Sequence, residues 1–239
     1  MAVAGATGRL GRRIIALGAS DAEIVLVAAL TREGHAFVGR DAGECAGIPP
    51  LGVAIEASPR AAFDVLVDAS TPAGTERWLE TCSERHVPIV IATTGHDARE
   101  LAEIERCSRT IPVLKASNLG VGANLLRRMA RDLARTLGAG FGVEIVEAHH
   151  RGKRDRPSGT SIDLARAVEG ADRPRPPIHS LRIGAVVGEH SVHFASDEEE
   201  LVLSHRALSR DAFARGALRA AKWLTVRGPG LYDMDALLS

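Results

Sequence analysis

The sequence predicts an α/β chain. A doubly wound parallel sheet forms one domain, and a second, smaller α+β domain contains a mixed sheet. Three observations carry that expectation. Short apolar runs alternate with helical segments through the first half, as buried parallel strands and their crossover helices do. A glycine-rich turn joins the first apolar run to the first helix. Beyond an amphipathic helix near the middle, further segments place apolar residues at every second position, the period of a half-buried strand.

The elements follow in order. Residues 1–4 form a first strand, short against the roughly five or six residues typical of strands. The turn Gly5-Ala6-Thr7-Gly8-Arg9-Leu10-Gly11 opens a helix that runs to Gly18. Gly5 permits the tight turn, Gly8 lets backbone approach a pyrophosphate, and Gly11 lets the helix pack on the strand. That is a variant of the Rossmann-type dinucleotide turn, with Gly5, Gly8, Arg9, Leu10 and Gly11 as cofactor candidates. Such turns also occur without a cofactor. Apolar runs at 24–30, 63–69, 87–92 and 111–116 predict the next strands, with helices over 75–85 and 97–108. Ligands of such sheets lie outside the carboxyl ends of the strands. The turns Ser70-Thr71-Pro72, Thr93-Thr94-Gly95 and Ser117-Asn118 fall there.

Residues 124–137 form an amphipathic helix whose stripe Leu125, Met129, Leu133 and Leu137 is expected to face a core or domain seam. A strand over 141–150 follows, with Phe141, Val143 and Ile145 on one face and His149 and His150 on opposite faces. A helix then runs over 158–168. A proline-rich connector, Asp172 to Pro177, leads to strands over 178–183, 190–195 and 200–205. Val192 and Phe194, or Leu201 and Leu203, offer an apolar face for assembly or for the domain's own helix. A last helix over 209–224 returns the chain to the first domain.

Composition narrows the function. The 239 residues carry 30 basic and 30 acidic side chains. That balance argues against a nucleic-acid partner. No apolar run reaches membrane-spanning length. The three cysteines, Cys45, Cys82 and Cys107, are odd in number and form no CxxC pair. They predict reduced thiols in a cytoplasm rather than disulfides or a zinc site.

The richest segment is Glu147-Ala148-His149-His150-Arg151-Gly152-Lys153-Arg154-Asp155-Arg156-Pro157-Ser158-Gly159-Thr160. It joins a strand end, a loop and a helix start. The unpaired N–H groups of a helix start suit an anion. Lys153 adds a positive charge, and a histidine adds a proton donor near neutral pH. Together these groups suit a carboxylated small molecule that receives a proton. The two histidines lack the carboxylate or cysteine partners of a structural zinc site, and no metal is expected.

This segment closely resembles the signature of the bacterial dihydrodipicolinate reductases, E-x-H-H-x-x-K-x-D-x-P-S-G-T, at every fixed position. Ala92-Thr93-Thr94-Gly95 resembles the family's G-T-T-G. Ser117 to Gly122 resembles its N-F-S-[IV]-G, with Leu119 and Gly120 as departures. Thr71-Pro72, Gly74-Thr75, Ser180 to Arg182 and Gly188 to His190 also fit, so the likeness spans nearly the whole chain. The connector at 172–177 is shorter than the family's loop.

The resemblance implies NAD(P)H-dependent reduction of a dihydrodipicolinate-type substrate, 4-hydroxy-tetrahydrodipicolinate, to tetrahydrodipicolinate in lysine and diaminopimelate biosynthesis. His149 would be the general acid. Lys153 would neutralise a carboxylate and assist proton transfer. His150, Ser158, Gly159 and Thr160 would bind the dicarboxylate, and Asp155 would orient Lys153. Thr93, Thr94 and Gly95 would lie near the nicotinamide, with Ser70, Thr71, Ser117 and Asn118 also lining the cofactor. The family further implies a dinucleotide-binding domain over 1–118 and 208–239, a substrate and oligomerisation domain over 119–207, and a homotetramer. Thr31 stands where the family often has an acid, and Arg32 where it often has arginine. A 2′-phosphate would meet no carboxylate there and would pair with Arg32, with help from Arg9 or Arg12. NADPH is therefore expected to be preferred over NADH. Two other readings stand beside this one: a related NAD(P)-dependent amino- or imino-acid dehydrogenase, and a non-catalytic dinucleotide-binding regulator.

Overall fold

The computed structural model describes residues 1–170 and 173–239. They divide into two compact units, residues 1–119 with 213–239 and residues 120–212.

The first unit holds β1 (Ala2–Ala4), α1 (Arg9–Gly18), β2 (Ala28–Leu30), α2 (Ala42–Ala46), β3 (Ile55–Glu56), β4 (Leu66–Asp68), α3 (Pro72–Arg85), β5 (Ile89–Ile91), α4 (Ala98–Ser108) and β6 (Pro112–Lys115). The second holds α5 (Val121–Leu137), β7 (Gly142–His149), α6 (Gly159–Val168), β8 (Ile178–Arg182), β9 (Gly188–Ala195) and β10 (Glu200–Ala207). Most of α7 (Asp211–Leu224), then β11 (Gly230–Tyr232) and α8 (Met234–Leu238), belong again to the first.

The first unit's sheet has seven parallel strands in the order β11-β6-β5-β4-β1-β2-β3. Its strands read as apolar runs because both faces are covered. Val3, Val67, Val90 and Leu114 pack with Ile14 and Ile15 of α1 and Leu218 and Leu224 of α7. Ala2, Ala4, Ile89 and Ile91 pack with Trp78 and Leu79 of α3 and Ile104 of α4. Successive strand residues thus serve opposite layers, as the two-residue period requires.

The ladders are shorter than the apolar runs. Of residues 24–30 only Ala28–Leu30 pair as a strand, and Val25 is exposed. The limit lies at the sheet's centre. β1 pairs three residues on each side and turns away at Gly5, whose φ is +71°. A side chain at Gly5 would stand 2.3 Å from the Ala69 carbonyl oxygen, so glycine is required there. The short first strand is therefore matched by equally short neighbours, and it is wholly buried.

The second unit's sheet runs β10-β9-β7-β8, with β7 and β8 parallel and the other pairs antiparallel. Ile145, Val192 and Phe194 face Leu126 and Ala130 of α5 and Leu164 and Val168 of α6. Val192 and Phe194 thus lie on the face covered by the unit's own helices, with Leu203 packed beside them. On α5 the expected stripe holds in part, with Leu133 and Leu137 packed against this core. Leu125 and Met129 are exposed, while Ala123, Leu126, Ala130 and Ala134 are buried. Alanines let this helix approach its neighbours closely, which a reading by leucines alone does not anticipate.

Of the connector expected over 172–177, Asp172 lies outside the described residues. Arg173 bonds the Phe141 carbonyl at 2.7 Å. Cys45, Cys82 and Cys107 are free thiols. Among the described residues, no helix is long and apolar enough to cross a membrane.

Candidate active site

Along the covered face of the second sheet, chemistry changes rung by rung. Ile145 pairs with Val192 and Ile178, an apolar rung. Two residues on, Glu147 pairs with His190 and Ser180. Two further on, His149 pairs with Arg182. The alternation that builds the core thus carries an acid, two histidines and an arginine onto the same face. Glu147, His149 and His190 are all buried.

Most of their polar atoms are matched, His190 Nδ1 being the exception. Arg182 Nη2 donates to Glu147 Oε1 at 2.8 Å. His149 Nδ1 is hydrogen-bonded to Glu147 Oε2. The imidazoles of His149 and His190 meet edge to face, with ring centres 5.1 Å apart. Burial works against ionisation of Glu147, but bonds from Arg182, Ser180 and His149 outweigh it and hold the carboxyl below the usual range. Burial lowers the His149 pKa, and the charges of Lys153 and Arg182 add to that, while Glu147 opposes it. His190 is pushed down to about 3, by burial first and by His149 next, and is neutral at pH 7.

The loop after β7 returns to this cluster. Lys153 Nζ lies 2.9 Å from Asp155 Oδ2, so the aspartate holds the lysine. Arg182 also donates to the Asp155 carbonyl at 2.6 Å. Ser158 caps α6: its hydroxyl accepts from the Ser161 amide at 3.2 Å and lies 3.4 Å from His190 Nε2. The Ser158 hydroxyl is thus engaged with the helix and His190. Gly159 and Thr160 are the first residues of α6, whose opening N–H groups lie outside the helical ladder. His150, half-buried, follows the end of β7.

Sequence reasoning gave the histidines no carboxylate partner, and the structure corrects this with Glu147. It also missed His190, whose signal is the β9 register opposite Glu147. One ligand atom each from Glu147, His149 and His190 lies within 4.8 Å of the others. A cation fits this set poorly, because Glu147 already serves Arg182 and His149, and the Arg182 charge would repel it.

In the first unit the cofactor candidates gather at the carboxyl ends of the strands. Gly8 precedes α1 with no side-chain cap, and Arg9, Leu10 and Gly11 open the helix. Ser70 and Thr71 follow β4, Thr93 to Gly95 follow β5, and Ser117 and Asn118 follow β6. Asp68, unnoticed within its apolar run, is the hub of these turns. It is fully buried and accepts from the hydroxyls of Ser70 at 2.5 Å, Thr75 at 2.5 Å and Thr93 at 3.0 Å. Thr71 caps α3.

Beyond β2, Thr31 is buried and Arg32 exposed. Thr7 Oγ1 lies 3.4 Å from His35 Nε2. The guanidinium groups of Arg12 and Arg40 lie 5.4 and 5.2 Å from the centre of the Phe37 ring. The Phe37 ring is thus flanked by two guanidinium groups.

Comparison with known proteins shows the family. Residues 1–119 match the family model for the N-terminus of dihydrodipicolinate reductase, and residues 122–238 match that for its C-terminus. The 4-hydroxy-tetrahydrodipicolinate reductase of Rubrobacter xylanophilus is 43% identical, over 99% of this chain and 97% of that one. The enzyme of the same name from Trichlorobacter lovleyi is 41% identical, over 100% of this chain and 98% of that one. Among solved structures, a dipicolinate-bound dihydrodipicolinate reductase from Paenisporosarcina has the same fold, with a TM-score of 0.74 at 23% identity over 97% of this chain and 96% of that one. An amine dehydrogenase from Mycobacterium smegmatis follows at a TM-score of 0.68 and 13% identity, over 96% and 93% of the two chains. With both of its halves matched and relatives above 40% identity along its full length, the chain belongs to the dihydrodipicolinate reductase family.

Proposed function

We propose that this protein reduces 4-hydroxy-tetrahydrodipicolinate to tetrahydrodipicolinate, with hydride from a nicotinamide cofactor, a proton from His149 and departure of the 4-hydroxyl group as water. The reaction is a step of lysine and diaminopimelate biosynthesis. The observation that carries the reading is the buried Arg182–Glu147–His149 chain beside Lys153 and the start of α6. A proton donor, a cation and a helix start are what a dicarboxylate needs when hydride addition leaves it with negative charge.

The cofactor, when bound, supplies the hydride. The turns at Gly5 to Gly11, Ser70–Thr71, Thr93–Gly95 and Ser117–Asn118 hold it, with Asp68 fixing the second and third of them. Lys153 neutralises one substrate carboxylate, with Asp155 setting its direction. Gly159 and Thr160 bind another through the helix start, and Ser158 keeps that start in place. His150 lines the same site. The burial of His149 leaves its acid form underpopulated without substrate, and two arriving carboxylates raise its pKa toward the working range.

NADPH is preferred, because Thr31 offers its 2′-phosphate no repulsion and Arg32 pairs with it. We place the reaction in the cytoplasm and assign the working form as a homotetramer. The dehydrogenase and regulator readings are disfavoured by the intact lysine, histidines and helix start.

The test generates substrate in place with the aldolase that condenses pyruvate and aspartate semialdehyde, and follows cofactor oxidation. Turnover should vanish when the aldolase is omitted. The kcat/KM should be higher with NADPH than with NADH, and Arg32→Ala should erase most of that difference by raising the NADPH KM about tenfold, the worth of one charge-assisted contact. Oxidation independent of the aldolase would point to another substrate.

A further inference from the structure

Glu147 and Arg182 form a buried pair to which the reaction as described gives no role of its own. Their side chains are 0% and 3% exposed. Glu147 has one oxygen on Arg182 and the other on His149 Nδ1, and the Ser180 hydroxyl also donates to it. With both oxygens committed, the carboxylate has a single orientation. An ionised carboxylate only accepts, so it requires the proton on Nδ1 and leaves Nε2 as the exchanging atom. Nε2 points at Gly188, where a side-chain carbon would stand 3.1 Å away, so glycine keeps that edge of the ring clear. The same guanidinium binds the Asp155 carbonyl, and Asp155 in turn holds Lys153. One arginine therefore ties the partner of the histidine to the loop that carries the lysine.

Resting on the acid role proposed for His149, the geometry points to Glu147 and Arg182 as positioning residues for proton delivery: Glu147 fixes the tautomer and ring direction of His149, and Arg182 fixes Glu147 and the Lys153 loop together. The charged and titratable groups around His149 are Glu147 on its own strand, Lys153 and Asp155 on the loop, Arg182 on β8 and neutral His190 on β9. Of these, Glu147 is the group whose charge and hydrogen bond favour the imidazolium, whereas burial, Lys153 and Arg182 disfavour it. Glu147→Gln removes the favouring charge and presents an amide that can donate to Nδ1. The acid form then becomes scarcer at every pH.

The experiment compares the full-length enzyme, His149→Gln and Glu147→Gln across pH with saturating NADPH. Glu147→Gln should lower kcat roughly ten- to a hundredfold, as loss of an orienting partner typically does. The pH at which kcat/KM declines should move downward, while NADPH affinity stays unchanged. A merely structural ion pair would lower activity or stability without moving that limb. In the wild-type protein, nitrogen chemical shifts of neutral His149 should place its proton on Nδ1, a measurement that needs no variant to fold. The proposal is overturned if His149→Gln abolishes turnover while Glu147→Gln leaves the pH limb in place, or if the proton resides on Nε2. Undiminished turnover by His149→Gln would instead remove the acid role itself.

Discussion

Replacing His149 with glutamine should lower kcat by about a hundred- to ten-thousandfold, the range that a general acid supplies. The wild-type side chain is buried and bonded to Glu147, so a glutamine of similar length preserves part of the packing while removing the titrating proton. The turns proposed to hold the cofactor all belong to the other unit, so the NADPH dissociation constant should change by no more than about twofold, well below one kcal/mol. Stopped-flow turnover beside fluorescence titration separates the two effects. The pH dependence adds a sign. An acid must be protonated to act, so wild-type kcat/KM declines as pH rises through the free enzyme's His149 pKa. Burial puts that decline below the ordinary histidine value of 6.5. Substrate carboxylates raise the pKa in the complex, so the decline in kcat lies at higher pH than that in kcat/KM. His149→Gln should lose this limb from both profiles.

The second large effect is expected at Gly11. A side-chain carbon there would stand 2.2 Å from the Gly5 carbonyl oxygen and 2.9 Å from its carbon. Both atoms are backbone, so no flexible side chain can yield. Either α1 shifts away from the turn or the turn opens. Overpacking of this kind costs about 1–3 kcal/mol. For a chain of this size that lowers the melting temperature by roughly 2–12 °C. In the proposed cofactor role the turn presents its backbone to a pyrophosphate, so Gly11→Ala should weaken NADPH binding more than tenfold. Gly228→Ala is the control, because nothing stands within 4 Å of its added carbon. Calorimetric titration of both variants measures the difference, and equal affinities would contradict the turn's assignment.

The two predictions differ in how much of their basis is legible in the sequence. The glycine turn and the His149–Thr160 signature are contiguous, and each lies where one secondary element passes into the next. Local spacing is enough to place them. Glu147 is in the same run, but its partnership with His149 emerges only when β7 is extended and the two residues share a face. His190 and Arg182 join through β-sheet register, a long-range property that spacing along the chain does not encode. Asp68 is hidden for a related reason. It sits at the end of an apolar run and is satisfied by hydroxyls from the turn after β4, the start of α3 and the turn after β5.

The ends of the strands were harder still. Residues 24–27 are apolar, but the central strand lies flat in the sheet for only three residues, and a strand cannot pair beyond its neighbour. α2 and β3 carry no apolar period, being set by Asp41, which caps α2 and also accepts from the amides of Leu51 and Gly52. On α5 the buried side carries Leu133 and Leu137 of the predicted stripe together with small alanines, whereas Leu125 and Met129 stay exposed.

The central claim is that a nicotinamide hydride and a solvent-derived proton are added to the same dicarboxylate. It is tested most directly with NADPH deuterated at both C4 positions, in ordinary water, with substrate supplied by the aldolase. Mass spectrometry should find tetrahydrodipicolinate carrying one deuterium per molecule, formed in step with cofactor oxidation. Cofactor oxidation with no labelled tetrahydrodipicolinate, or product without deuterium, would contradict the account.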